Sequence, residues 1–149
     1  MSKKDLDFCQ KLADKADEIS MARFGALDLI IETKPDLTPV SDADKKVGEE
    51  LRKLITQYSN SDSIIGEEFG KEGSGNREWI LDPIDGTKNF VRGVPFWGTL
   101  IGLRIDGKMQ VGMVSAPALG RRWFGALGHG SYLRSQTNNF LKERKLQVS

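Results

Sequence analysis

Apolar residues recur every three to four positions across residues 5–24, with Leu6, Cys9, Ala13, Ala16 and Ile19 along one stripe. That period predicts an amphipathic helix, and Gly25 ends it. Residues 29–33 read as a short strand, and two prolines within 34–40 predict a loop. The helical period returns at Ser41 or Asp42 and runs to Tyr58, with Val47, Leu51, Leu54, Ile55 and Tyr58 as the buried face. Ser41 followed three residues on by Asp44 resembles a capping box, in which Glu or Gln is the usual second member.

Beyond Tyr58 the period becomes strand-like. Residues 63–66 and 78–81 are short apolar strands, each feeding an acidic cluster, and the Gly- and Ser-rich stretch 70–77 between them predicts a surface loop. Residues 97–105 and 108–115 flank Asp106-Gly107, a strong hairpin signal. A further strand pair, 122–127 and 131–134, surrounds Gly128-His129-Gly130. Helices first and antiparallel strands afterwards predict an α+β fold: two N-terminal helices packed on a mostly antiparallel sheet. The 149 residues suffice for one domain with a sizeable core, and no internal repeat or low-complexity segment interrupts them.

Composition narrows the function. Lys+Arg 22 against Asp+Glu 21 gives no electrostatic case for nucleic-acid binding. Cys9 has no second cysteine for a disulfide or a Cys-based zinc site, and its spacing places it in the core of the first helix. The charged start of the chain lacks an apolar leader core, and no stretch approaches a membrane span, so the expected location is the cytoplasm.

The chemistry concentrates in Trp79-Ile80-Leu81-Asp82-Pro83-Ile84-Asp85-Gly86-Thr87-Lys88-Asn89-Phe90. Two carboxylates stand three residues apart at the end of an apolar strand, with a rigid Pro between them and a Gly-Thr turn after them. Upstream lies a second acidic cluster, Gly66-Glu67-Glu68-Phe69-Gly70. Hard divalent cations take oxygen ligands, and Mg2+ keeps several waters, so a few carboxylates and one carbonyl suffice. Glu67, Asp82, Asp85 and the Ile84 carbonyl meet that demand. Pro83 restricts the residue before it and holds Asp82 extended. Gly86 permits a close turn, and the amides of Gly86 and Thr87 are candidates to face a phosphate. Thr87 is placed to pass a proton from an attacking water to a nearby carboxylate. The pattern points to a metal-dependent phosphatase using two or more Mg2+ ions.

These residues resemble the inositol monophosphatase superfamily of Mg2+-dependent, lithium-sensitive phosphatases. Gly66-Glu67-Glu68 is similar to its upstream acidic motif, and Asp82-Pro83-Ile84-Asp85-Gly86-Thr87 to its central one. Asp44, within Thr38-Pro39-Val40-Ser41-Asp42-Ala43-Asp44, falls where the family keeps an aspartate paired with the motif threonine. The resemblance implies that Glu67, Asp82, Asp85 and the Ile84 carbonyl bind metal and that Asp44 and Thr87 together activate water. Residues 89–95 and 115–123 resemble the actinobacterial-type histidinol-phosphatases. That implies hydrolysis of histidinol phosphate to histidinol, a step of histidine biosynthesis, without a phospho-enzyme. Inositol monophosphate or a related sugar phosphate is the alternative substrate. Family members are often dimers, which makes a homodimer the expected partner state.

Other residues carry plainer readings. Glu68 is the weaker ligand candidate, Asp42 a surface or cap residue, and His129 a turn residue. Trp79, Trp97 and Trp123 are core or interface aromatics. Arg121-Arg122 is a solvated strand end before it is an anion contact. The resemblance also implies a second α/β domain, whose Trp-Asp motif completes the metal site. This chain has no Trp-Asp dipeptide, and its last residues, 145–149, read as the interior of a strand. Residues 1–149 are therefore expected to be the N-terminal metal-binding domain of a longer phosphatase, with the domain-facing side of its sheet apolar and exposed. The rival from another class is a non-catalytic domain that binds metal or phosphate, or packs on a partner chain.

Overall fold

Helix α1 (Ser2–Arg23) buries Leu6, Cys9, Leu12, Ala13 and Ala16, the stripe that its period dictates with Leu12 added. Helix α2 (Asp42–Tyr58) starts at Ser41, whose side chain accepts from the Asp44 amide while the Asp44 carboxylate accepts from the Ser41 amide. The shorter Asp thus closes the capping box in place of Glu. Val47, Leu51 and Ile55 of α2 are buried, whereas Leu54 and Tyr58 are half-buried. The computed structural model describes residues 2–66, 70–137 and 140–147.

Both helices cover one face of an eight-stranded sheet. Its strands are β3 (Ser63–Gly66), β4 (Gly70–Glu72), β5 (Arg77–Asp85), β6 (Gly98–Ile105), β7 (Lys108–Ala116), β8 (Arg121–Ala126), β9 (Gly130–Thr137) and β10 (Phe140–Leu146). The spatial order is β10-β9-β8-β7-β6-β5-β3-β4, antiparallel except for the parallel pair β3–β5. Cross-strand neighbours Leu81, Ile101, Met113 and Phe124, and beside them Trp79, Leu103, Val111 and Ala126, form the sheet's share of the core. Asp106 and Gly107 both have positive φ, the twist that a two-residue hairpin needs. On the opposite face Ile80, Leu100 and Trp123 are half-buried and Val114 is exposed, beside Gly112 and Gly125. The face away from the helices is therefore apolar and partly open.

Several boundaries differ from the sequence reading. Strand β1 (Ile31–Thr33) pairs with β2 (Pro39–Ser41), which lies partly inside the expected loop. Pro39 is tolerated there because it opens a strand in an isolated two-stranded ribbon. The expected loop at 70–77 begins with the edge strand β4. Strand β5 continues past Leu81 through Pro83 to Asp85, and a short helix α3 (Thr87–Val91) follows. Trp97 is buried just before β6 rather than within it.

Arg122 is the clearest correction. Far from being solvated, it is buried and donates to Asp14 Oδ1 (2.9 Å), Asp17 Oδ2 (2.7 Å) and Ser115 Oγ (3.1 Å). Register explains it: Arg122 pairs with Ser115 on the sheet face that α1 covers, where the acids of α1 await it. Arg121, its neighbour, is exposed as expected.

A second polar cluster ties the first turn of α1 to the far end of α2 and the start of β5. Arg77 Nη2 lies 2.9 Å from Asp5 Oδ1, and its Nε lies 3.2 Å from both Asp62 oxygens. Tyr58 donates to Asp5 (3.0 Å) and Trp79 Nε1 to Asp62 (2.8 Å). Burial, then the bond to Asp5, pushes the Tyr58 hydroxyl up to about 12, so it stays a donor. Burial also pushes the nearby Cys9 thiol up to about 12, with Asp5 adding to the effect, which fits an inert core residue. Asp5 and Asp62 are both buried, so losing their shared cation leaves two carboxylates uncompensated. Arg77→Ala is expected to destabilise the chain by about 3 kcal/mol in urea unfolding; a change below about 1 kcal/mol would show that the cluster contributes little.

Candidate active site

The site begins with a fault in the β5–β6 ladder. Asp82 pairs with Leu100 and Asp85 with Gly98, so β5 holds one more residue than β6 over this interval. Such a bulge bends the strand and re-aims its side chains. It also accommodates Pro83, which has no N–H for the ladder. Past the bulge, the Ile84 side chain enters a small core with Ala43, Phe90 and Trp97, while Asp85 is exposed. Asp82 is half-buried.

Three aromatic rings meet in that small core. Phe90 meets Trp97 edge-on at 4.8 Å, and Phe24 lies within 5.5 Å of both rings. It anchors α3 behind the motif and so fixes the turn at Gly86. Gly86 has φ 85°, and a Cβ there would stand 3.1 Å from the Phe96 carbonyl oxygen. The left-handed conformation favours glycine, and the tight approach adds to the preference.

Thr87 opens α3, and its Oγ1 lies 2.9 Å from Asp44 Oδ1 and 3.1 Å from the Ile84 carbonyl oxygen. One hydroxyl proton therefore faces two acceptors, and the threonine oxygen keeps lone pairs for a further donor. Asp44 is 2% exposed. Its Oδ2 accepts from the Ser41 amide (2.8 Å) and the Ser41 hydroxyl (2.5 Å), leaving Oδ1 for Thr87. The helix cap and the contact to the motif are two functions of one carboxylate.

The structure thus brings Asp44, Ile84, Gly86 and Thr87 together, with Asp82 and Asp85 on the same bulged segment. Glu67 and Glu68 lie outside the described residues; Gly66, just before them, pairs with Leu81, just before Asp82. Among the described residues no group of three or more His, Cys, Asp or Glu is gathered at metal-holding spacing. The described donors on the bulge are all oxygens, Asp82, Asp85 and the Ile84 carbonyl, and that chemistry suits a hard cation rather than zinc or copper. Asp42 is half-buried and paired with Arg23 at 2.8 Å. His129 is exposed in its turn.

Two buried polar residues, one at the site and one near its approach strand β3, escaped the sequence reading. Thr99, fully buried in β6, donates to the Pro83 carbonyl at 2.8 Å. No one-dimensional pattern marks it, because its partner is a backbone oxygen on another strand. Arg52, buried in α2, donates to the Gly70 carbonyl (2.9 Å) and pairs with Glu72 (2.9 Å). It sits at a position the helical period reserves for the buried face, where a charge is easily overlooked.

The family model described as "Inositol monophosphatase family" matches residues 2–149. The chain belongs to the inositol monophosphatase family. It is 56% identical to a histidinol-phosphatase of Mycobacterium tuberculosis, across 89% of this chain and 51% of that protein. It is 55% identical to a histidinol-phosphatase of Streptomyces coelicolor, across 86% of this chain and 50% of that one. Among solved structures it is similar to an IMPase of Thermotoga maritima, with a TM-score of 0.85 and 31% identity, over 98% of this chain and 54% of the other. The chain spans about half the length of the curated relatives it matches.

The shared carboxylate makes a checkable energetic statement. Asp44→Ala leaves the Ser41 cap but removes the carboxylate half of the capping box and the partner of Thr87; it is expected to cost about 1–2 kcal/mol, and Thr87→Val about 1 kcal/mol. Because the two contacts overlap, the double variant should lose less than the sum, by at least about 0.5 kcal/mol in urea unfolding. Strict additivity would mean that the 2.9 Å contact carries no coupling.

Proposed function

We propose that this chain supplies the metal- and phosphate-binding half of a Mg2+-dependent phosphomonoesterase that hydrolyses histidinol phosphate to histidinol and phosphate. The observation that carries the reading is the Thr87 hydroxyl set on the buried Asp44 carboxylate, directly after the Asp82–Asp85 bulge. Family membership and the histidinol-phosphatase relatives support the reaction class and the substrate.

Asp82, Asp85, the Ile84 carbonyl and Glu67 would hold the metal, two or more ions. Mg2+, when bound, supplies neutralisation of the ester's charge and a more acidic water. The chain's own residues do the rest. Ser41 holds the Asp44 carboxylate in place with two donors. Thr87 accepts a proton from the attacking water and passes its own to Asp44. Gly86 and Thr87 present their amides to the phosphate at the start of α3. A homodimer in the cytoplasm is the proposed setting; no helix among the described residues is long and apolar enough to cross a membrane.

The half-length match favours a second reading for the isolated chain, a domain that binds metal or phosphate without turnover. Phosphate release and equilibrium dialysis separate the two. The 149-residue chain with Mg2+ is expected to release little phosphate from histidinol phosphate, and less still from inositol monophosphate. It is expected to bind Mn2+, a Mg2+ surrogate, with Asp85→Asn weakening that binding about tenfold or more. Vigorous turnover would remove the second reading. Failure of the chain to bind Mn2+ would remove the metal site from the first.

A further inference from the structure

We propose that Thr99 is a positioning residue for the bulge that carries Asp82 and Asp85. The inference rests on the reading of Asp82, Asp85 and the Ile84 carbonyl as metal ligands. A bulge interrupts the regular ladder, and the carbonyls within it need other donors. Here two threonine hydroxyls meet them from different elements. Thr99 of β6 donates to the Pro83 oxygen, and Thr87 of α3 lies within bonding distance of the Ile84 oxygen.

Those two oxygens belong to consecutive peptide planes, one on each side of the Ile84 α-carbon. Each plane is rigid, so holding both oxygens leaves little freedom between Asp82 and Asp85. The direction of the Ile84 carbonyl and the separation of the two carboxylates are then set together. Pro83 cannot compensate, since its ring fixes φ and it offers no N–H of its own. Without the Thr99 hydroxyl, the Pro83 carbonyl loses its side-chain donor, and the 83–84 peptide is held less firmly between the buried Ile84 side chain and the Asp82 and Asp85 pairings.

Thr99 is fully buried, and its ladder partner is Ser115. At such a position valine has the same shape and suits a strand equally well. What threonine adds is the donor. This separates a positioning role from core packing: Val keeps the volume and loses the hydroxyl, whereas Ser keeps the hydroxyl and loses the methyl.

The test uses Thr99→Val and Thr99→Ser in the 149-residue chain, with amide hydrogen exchange and Mn2+ titration as readouts and urea unfolding as the control for global stability. In Thr99→Val the amides of Ile84, Asp85 and Thr87 are expected to exchange about tenfold faster or more, while those of β8 and β9 stay unchanged. Mn2+ binding should weaken about tenfold, and Thr99→Ser should restore both to within about threefold. Unchanged exchange at residues 84–87 in Thr99→Val would overturn the proposal. So would a uniform rise across the whole sheet, or a Thr99→Ser variant that shows the same rise and the same weakening as Thr99→Val, since each marks a role other than the hydroxyl's. If wild type binds no Mn2+ but the local exchange pattern appears, the metal reading fails and the positioning role stands.

Discussion

The extra residue that β5 holds against β6 between Asp82 and Asp85 is the constraint around which the site is organised. A regular strand would send these two side chains to opposite faces and bury both carbonyls between them in the ladder. The bulge instead exposes Asp85, keeps Asp82 half-buried, and turns Ile84 into the aromatic core behind the motif. Gly86 then reverses the chain in a left-handed conformation, with little room for a Cβ beside the Phe96 carbonyl. Each element of the motif therefore answers to a steric demand as well as to a chemical one.

Polar groups that a bulge frees must be met, and here they are met by side chains that do more than one thing. Thr87 bridges the Ile84 carbonyl and Asp44. Asp44 closes the capping box of α2 while receiving Thr87. The start of a helix that packs the main core is thereby coupled to the end of the strand that carries the acidic motif. Stability and function share these groups, so substitutions at Asp44 are expected to disturb both.

Legibility in the sequence followed from how local each signal was. The stripes of α1 and α2, the Asp106-Gly107 hairpin and the capping box were readable because each is set by neighbours within a few residues. The Asp82–Thr87 motif stood out because its carboxylates and its turn are contiguous. What escaped depended on register. Arg122 is buried because it aligns with Ser115 under α1. Thr99 matters through a carbonyl on the adjacent strand. The pairing of β1 with β2 and the edge strand β4 involve three-residue stretches, too short for any period to declare itself.

The central claim is that one segment, Asp82 to Thr87, with Asp44 behind it, forms a single cation and phosphate site. Paramagnetic broadening of amide resonances by Mn2+ addresses it most directly, because it maps the ion onto the chain without requiring turnover. The account predicts that substoichiometric Mn2+ first broadens the amides of Asp82, Ile84, Asp85, Gly86 and Thr87 together with that of Asp44, and that excess Mg2+ reverses it. Broadening centred on another acidic cluster, with residues 82–87 and Asp44 unaffected, would contradict it.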